Sequence, residues 1–322
     1  MSYCTTDIPK PTDPSAYHSI LKSVSKKISA IEGVLSVYQI GGISSPGISD
    51  LDLVVVFKDD FKCSLNIHDS LSIKEKYLFI HKLYGTSRSH FLESSKYSFF
   101  QNYSLLSGEE IIRLTDRDEE SPGLIQTQIA LEYMLKMYVN VIVQEKYRIV
   151  QVRSLLLHGK ALSYDLGYFK DSSQSLKKIV DRLLDIRKNW FENPQSQKLI
   201  LDWFREFCIV YPEELNSIMQ SKPFYLDSNS SNRIARNISI VKSDKLHYSH
   251  HGTKLPPFPV NIIGKKYFRL MNRFNRFEIQ VPFRSSGIPD GLRAYFDFQQ
   301  RQRSYNSEYI PHFYPLTSSL LA

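Results

Sequence analysis

The chain has 322 residues, and 41 Lys and Arg against 33 Asp and Glu leave a formal charge of +8. With 42% hydrophobic and 13% aromatic residues it is not a disordered chain, because that many rings need a packed interior. Uninterrupted apolar runs such as Leu53 to Phe57 reach only five residues, far short of the about 20 a bilayer span requires.

Asp13-Pro14 predicts a helix start, a carboxylate N-cap followed by proline at the first helical position. Tyr17, Ile20, Leu21, Val24, Ile28 and Ile31 then keep three-four spacing up to Gly33. Val34 to Ile40 reads as a strand. After a Gly-Gly and Ser-Ser-Pro-Gly segment, Asp50 to Phe57 reads as a second strand and Tyr77 to Tyr84 as a third. Ser121-Pro122 is another cap-and-proline start, and Leu124 to Val143 is apolar on nearly every face, as a central bundle helix would be. Amphipathic helices are expected over about 148–165, 173–190 and 195–219. Beyond Lys222 the helical period fades, and the end of the chain reads as loop-rich. The expectation is an α+β protein: a mixed sheet with helices over 1–120, a helical domain over 121–220, and an irregular mixed region over 221–322.

One stretch carries chemistry: Gly41-Gly42-Ile43-Ser44-Ser45-Pro46-Gly47-Ile48-Ser49-Asp50-Leu51-Asp52. On a strand Asp50 and Asp52 point the same way while Leu51 and Leu53 face the core. Two carboxylates on one face repel unless a cation neutralises them, and Mg²⁺ shared with phosphate oxygens is the usual solution. The paired glycines allow close backbone approach, and Ser44 and Ser45 offer donors to phosphate. A phosphate cradle beside a metal clamp suits phosphoryl or nucleotidyl transfer.

These residues resemble the signature of the DNA polymerase β-like nucleotidyltransferase superfamily, a strand ending in Gly-Gly or Gly-Ser, a loop, then Asp-x-Asp on the next strand. The resemblance covers roughly residues 30–120, and the helical segment behind it looks like the bundle of small-substrate and antitoxin-type members. It implies that Gly41, Gly42, Ser44 and Ser45 contact the phosphates of an NTP such as ATP, and that Asp50 and Asp52 bind two Mg²⁺ ions. In the family, those ions activate an acceptor hydroxyl and neutralise the leaving pyrophosphate. Two features depart from the pattern. Seven residues separate Gly42 from Asp50, fewer than in many members. The family's third carboxylate lies on a following strand, and on Tyr77–Tyr84 the inward position falls to His81, with Glu93, Glu109 and Glu110 as other candidates.

Elsewhere, His247, His250 and His251 lack the Cys or acidic partners of a zinc site and read as a polar loop. Lys265, Lys266, Arg269, Arg273, Arg276 and Arg284 alternate with Tyr267, Phe268, Phe274, Phe277 and Phe283. Either 265–284 binds RNA through phosphates and stacked bases, or it is a strand pair with an aromatic core and a basic exterior. Arg148, Arg153 and Lys160 are expected on a solvated helical face. The three scattered cysteines, Cys4, Cys63 and Cys208, and an N-terminus without a secretory apolar core suit a cytoplasmic protein, and no membrane partner is expected. The sequence thus leads to a Mg²⁺-dependent transferase that moves a nucleoside monophosphate from an NTP to a hydroxyl of RNA, protein or a small molecule. The alternative is a degenerate relative that binds nucleotide or RNA without turnover.

Overall fold

The computed structural model describes residues 3–97, 102–112, 123–169, 174–227 and 233–317. Along the chain, β1 (Cys4–Thr6) precedes α1 (Pro14–Ser29), β2 (Val34–Ile40) and β3 (Asp52–Phe57). The short helices α2 (Ile67–Ser70) and α3 (Ile73–Leu78) lead to β4 (Tyr84–Ser87), α4 (Arg88–Ser94) and β5 (Tyr103–Gly108). A helical stretch follows: α5 (Gly123–Tyr147), the short β6 (Ile149–Gln151), α6 (Val152–Asp165), α7 (Gln174–Lys188) and α8 (Ser196–Ser221). After it come β7 (Arg233–Ala235), β8 (Ile238–Lys242), β9 (His247–Gly252), α9 (Val260–Ile263) and α10 (Lys265–Phe274). The last elements are β10 (Asn275–Val281), α11 (Asp290–Tyr309) and β11 (Tyr314–Pro315).

The α+β chain divides into two compact units, Pro11–Gln126 with Pro289–Ser318, and Met1–Lys10 with Thr127–Ile288 and Ser319–Ala322. The expected consecutive segments 1–120, 121–220 and 221–322 give way to this division because Pro289–Ser318 returns to the N-terminal unit. Nor is 221–322 irregular: it holds a four-stranded sheet and the 20-residue helix α11. The Ser121-Pro122 start lies outside the described residues.

The N-terminal unit is built on a five-stranded sheet of order β11-β4-β3-β2-β5. β2 runs antiparallel to both β3 and β5, while β4 is parallel to β3 and to β11. β3 is central and apolar on both faces. Leu53, Val55 and Phe57 pack with Tyr17, Leu21, Val24 and Ile28 of α1, and Val54 and Val56 pack with Tyr38, Phe91 and Leu316 on the other side. A strand covered on both faces reads as a continuous apolar run, which is what 53–57 is. Asp13 caps α1 as expected, accepting from the Ser15 amide at 2.7 Å. α11 reaches β4 through buried amides: Thr86 Oγ1 donates to Gln302 at 2.9 Å, and Asn306 Nδ2 donates to the Gly85 carbonyl at 3.1 Å. Gly85 leaves no room there for a side chain, since a Cβ would lie 2.7 Å from that of Phe313.

Two strand expectations change. β3 begins at Asp52, so Asp50 precedes the strand. Tyr77–Tyr84 is not a strand. Ser72 and Glu75 form a reciprocal capping box that starts α3, the helix runs through Leu78, and β4 begins only at Tyr84.

In the second unit α5 is buried on most faces, with Leu131, Met134, Leu135, Tyr138, Val141 and Ile142 all inside. Polar links hold the helices together: Tyr211 of α8 donates to the Met134 carbonyl, Trp203 of α8 to Ile179 of α7, and Arg187 of α7 to Leu156 of α6, each at 2.8 Å. A four-stranded sheet of order β7-β8-β10-β9 follows, with β10 parallel to β8 and antiparallel to β9.

Candidate metal centre

The glycine-serine loop is held from both sides by tyrosines. β2 ends at Ile40, and Gly41 turns the chain with a positive φ of 74°. A tight turn follows in which the Ile48 and Ser49 amides both donate to the Ser45 carbonyl, at 3.0 and 2.8 Å. The Ser45 amide donates in turn to Ser49 Oγ at 3.1 Å. The Tyr17 hydroxyl, on α1, accepts from the Gly47 amide and donates to the Ser49 carbonyl, both at 2.8 Å. The Tyr77 hydroxyl, on α3, donates to the Gly47 carbonyl at 2.6 Å. The Leu51 amide then bonds to the Leu78 carbonyl at 3.0 Å and ties the aspartate segment to the end of α3.

That last bond explains how His81 arrives. It lies on the short loop between α3 and β4, whose flanking Phe79 and Leu83 are buried in the core. The structure brings Asp50, Asp52 and His81 together, each half-buried, with ligand atoms all within 4.8 Å of one another. Among the described residues this is the one such group of metal-capable side chains, and it contains no third carboxylate. The imidazole is oriented by its other nitrogen: Nδ1 lies 2.6 Å from the Lys82 carbonyl, which only accepts, so Nδ1 carries the hydrogen. The ring packs against Tyr84 and Tyr314, with centroids 5.4 and 5.6 Å away.

Nε2 stands 2.9 Å from Asp52 Oδ1, at ion-pair distance but off the hydrogen-bond direction, and this buried oxygen has no aligned donor. Burial alone would lower the imidazole's affinity for a proton. The Asp52 carboxylate 2.9 Å away outweighs it, Asp50 adds to it, and the His81 pKa rises from 6.5 to about 9. Two carboxylates and a tethered imidazole are a donor set that takes a divalent cation, and an orphaned buried oxygen among them is where a ligating atom would sit.

The other expected positions fall in three groups. Gly41 and Gly42 are exposed, with open space where a side chain would stand; Ser44 is exposed and Ser45 half-buried on the same loop. The Ser45 amide is spent inside the turn, so a phosphate would meet other donors of the loop. Glu93 is engaged by Arg301 through two bonds of 3.0 and 2.7 Å, and Glu109 lies 3.5 Å from Arg88. His247, His250 and His251 sit on β9, not in a loop, with His250 Nε2 2.7 Å from Asn275 Oδ1.

The 265–284 segment is a helix, α10, followed by β10, rather than a strand pair. Its six cations are exposed, while Tyr267, Phe277 and Phe283 are buried and Phe268 half-buried, leaving Phe274 as the exposed ring. Arg153 departs from the expected solvated face and is buried, at 2% exposure. The sequence reading missed the clamp, whose signal was present. Tyr17 is the aromatic on the α1 core stripe, and Ser72-x-x-Glu75 marks the helix that delivers Tyr77.

Comparison of the chain with protein-family models, with curated proteins and with solved structures finds no match.

Proposed function

We propose that this chain is a metal-dependent nucleotidyltransferase of the DNA polymerase β-like kind, moving a nucleoside monophosphate from an NTP to the hydroxyl of an acceptor. One observation carries the reading: Asp50, Asp52 and His81 converge within 4.8 Å directly after a clamped loop whose Gly41-Gly42 backbone is exposed. Asp50 and Asp52 would hold divalent cation, two ions if the family pattern applies, with His81 in the third position. Bound cation supplies charge neutralisation at the phosphates and a more acidic acceptor hydroxyl.

The chain's own part is positioning. Gly41, Gly42, Ser44 and Ser45 face the triphosphate, and Tyr17 and Tyr77 fix the loop so that its donors need not reorganise when charge moves to the leaving pyrophosphate. Asp50 and Asp52 would hold the cation beside the α-phosphate, where its positive charge offsets their repulsion of the phosphate and favours in-line attack. An RNA acceptor would meet 265–284 through phosphate contacts with Lys266, Arg269 and Arg273 more than through stacking, because most rings of the segment face inward.

The test is incubation with divalent cation and each of four α-labelled NTPs, together with pools of RNA, protein or small molecules. Label in one pool names donor and acceptor class; label remaining as NTP throughout contradicts the proposal. A second reading, a nucleotide-binding module without turnover, is favoured by one feature. The His81 imidazolium beside Asp52 neutralises a carboxylate without any metal.

A further inference from the structure

The donor set at the candidate centre does not match the ion that the sequence suggests. Mg²⁺ is a hard ion that takes oxygen ligands and keeps much of its water, whereas imidazole nitrogen suits first-row transition ions. His81 is no bystander at this site. Its Nδ1–H is committed to the Lys82 carbonyl at 2.6 Å, which leaves Nε2 as the nitrogen that faces the aspartates and that ligates once an entering cation has displaced its proton to water. A backbone carbonyl on the far nitrogen is the arrangement that orients metal-ligating histidines and raises their basicity as ligands. The ring's freedom is further limited by Tyr84 and Tyr314. Nε2 and Asp52 Oδ1 are 2.9 Å apart. Adjacent ligands on one ion with bonds of about 2.1 Å stand roughly 3 Å apart, so the ion-pair separation also suits two ligands sharing a cation with little rearrangement.

We infer that Asp50, Asp52 and His81 form a mixed carboxylate-imidazole site for a first-row transition divalent cation, with His81 Nε2 as a ligand, and that it prefers Mn²⁺ and Co²⁺ over Mg²⁺. The inference rests on the metal-dependent reading of the same three residues and specifies the ion.

The test is cation binding by the full chain, stripped of metal and without nucleotide. Calorimetric titrations with Mg²⁺, Mn²⁺ and Co²⁺ should show Mn²⁺ binding at least about tenfold more tightly than Mg²⁺ and Co²⁺ more tightly still, following the order of nitrogen affinity. Pulsed electron paramagnetic resonance of the Mn²⁺ form should show coupling to one imidazole nitrogen, a readout that needs no variant. His81→Ala and His81→Gln should both lose that coupling and most of the preference, while His81→Asp should shift it back towards Mg²⁺. Equal affinity for Mg²⁺ and Mn²⁺, or binding of Mn²⁺ without a nitrogen coupling, overturns the inference and leaves the metal-dependent reading standing. Failure of all three cations to bind overturns both.

Discussion

His81 gives the candidate centre a measurable signature even without metal. Its pKa stands at about 9 in the folded chain against an ordinary 6.5, because Asp52 and Asp50 favour the charged ring more than burial opposes it. At about 1.4 kcal/mol for each pH unit, the full difference amounts to about 3 kcal/mol, and partial solvent access to both side chains reduces it to about 2 kcal/mol. The sign follows from linkage: the folded state binds the proton more tightly, so the stabilisation is complete below pH 6.5 and disappears as pH rises through 9. Urea unfolding in the presence of chelator, from pH 6 to pH 10, should therefore show wild type losing about 2 kcal/mol more than His81→Gln over that interval. Nuclear magnetic resonance of the labelled imidazole should place the titration near 9 and the Nδ1 hydrogen in both protonation states. A His81 that titrates near 6.5, with wild type and variant losing stability in parallel, refutes the ion pair with Asp52.

Other perturbations test the parts around it. Asp52→Asn should abolish cation binding and transfer; because it strips His81 of its partner, the metal-free chain should lose stability at pH 7 and the imidazole should titrate nearer 6.5. Tyr17→Phe leaves the Gly47 amide and Ser49 carbonyl without their partner in a buried place, so thermal or urea unfolding should record a loss of about 2–4 kcal/mol, with weaker NTP binding. Arg269→Glu with Arg273→Glu should flatten the salt dependence of any RNA binding while leaving NTP affinity unchanged; an unaltered slope removes α10 from the acceptor surface.

How much of this was legible in the sequence varied with the kind of signal. Asp13-Pro14 set the start of α1, and the run Leu53 to Phe57 identified the central strand, because capping and two-sided burial leave local marks. The Asp50–Asp52 pair stood out for the same reason, since a carboxylate pair beside glycines is local. Tyr77 to Tyr84 misled, as its aromatic and aliphatic residues resemble a strand, whereas the capping box at Ser72 and Glu75 commits the chain to helix first. His81 nonetheless reached the aspartates, carried by a loop anchored at Phe79 and Leu83 instead of by strand alternation. The return of α11 and β11 to the first sheet was hidden for a different reason. α11 mixes buried Leu292, Tyr295, Phe298 and Tyr305 with buried Gln299, Gln302 and Asn306, which thins its apolar stripe, and β11 is only Tyr314–Pro315. Pairings that distant in sequence leave no periodic trace.

The central claim, that Asp50 and Asp52 serve nucleotidyl transfer, is tested most directly by the position of the label. Wild-type protein and the double variant Asp50→Asn, Asp52→Asn would each be incubated with Mn²⁺ or Mg²⁺, a mixed acceptor pool, and an NTP labelled at either the α- or the γ-phosphate. The account predicts acceptor labelling from the α-position only, pyrophosphate release in equal amount, and neither product with the double variant. Labelling from the γ-position, or undiminished α-transfer by the double variant, would contradict it.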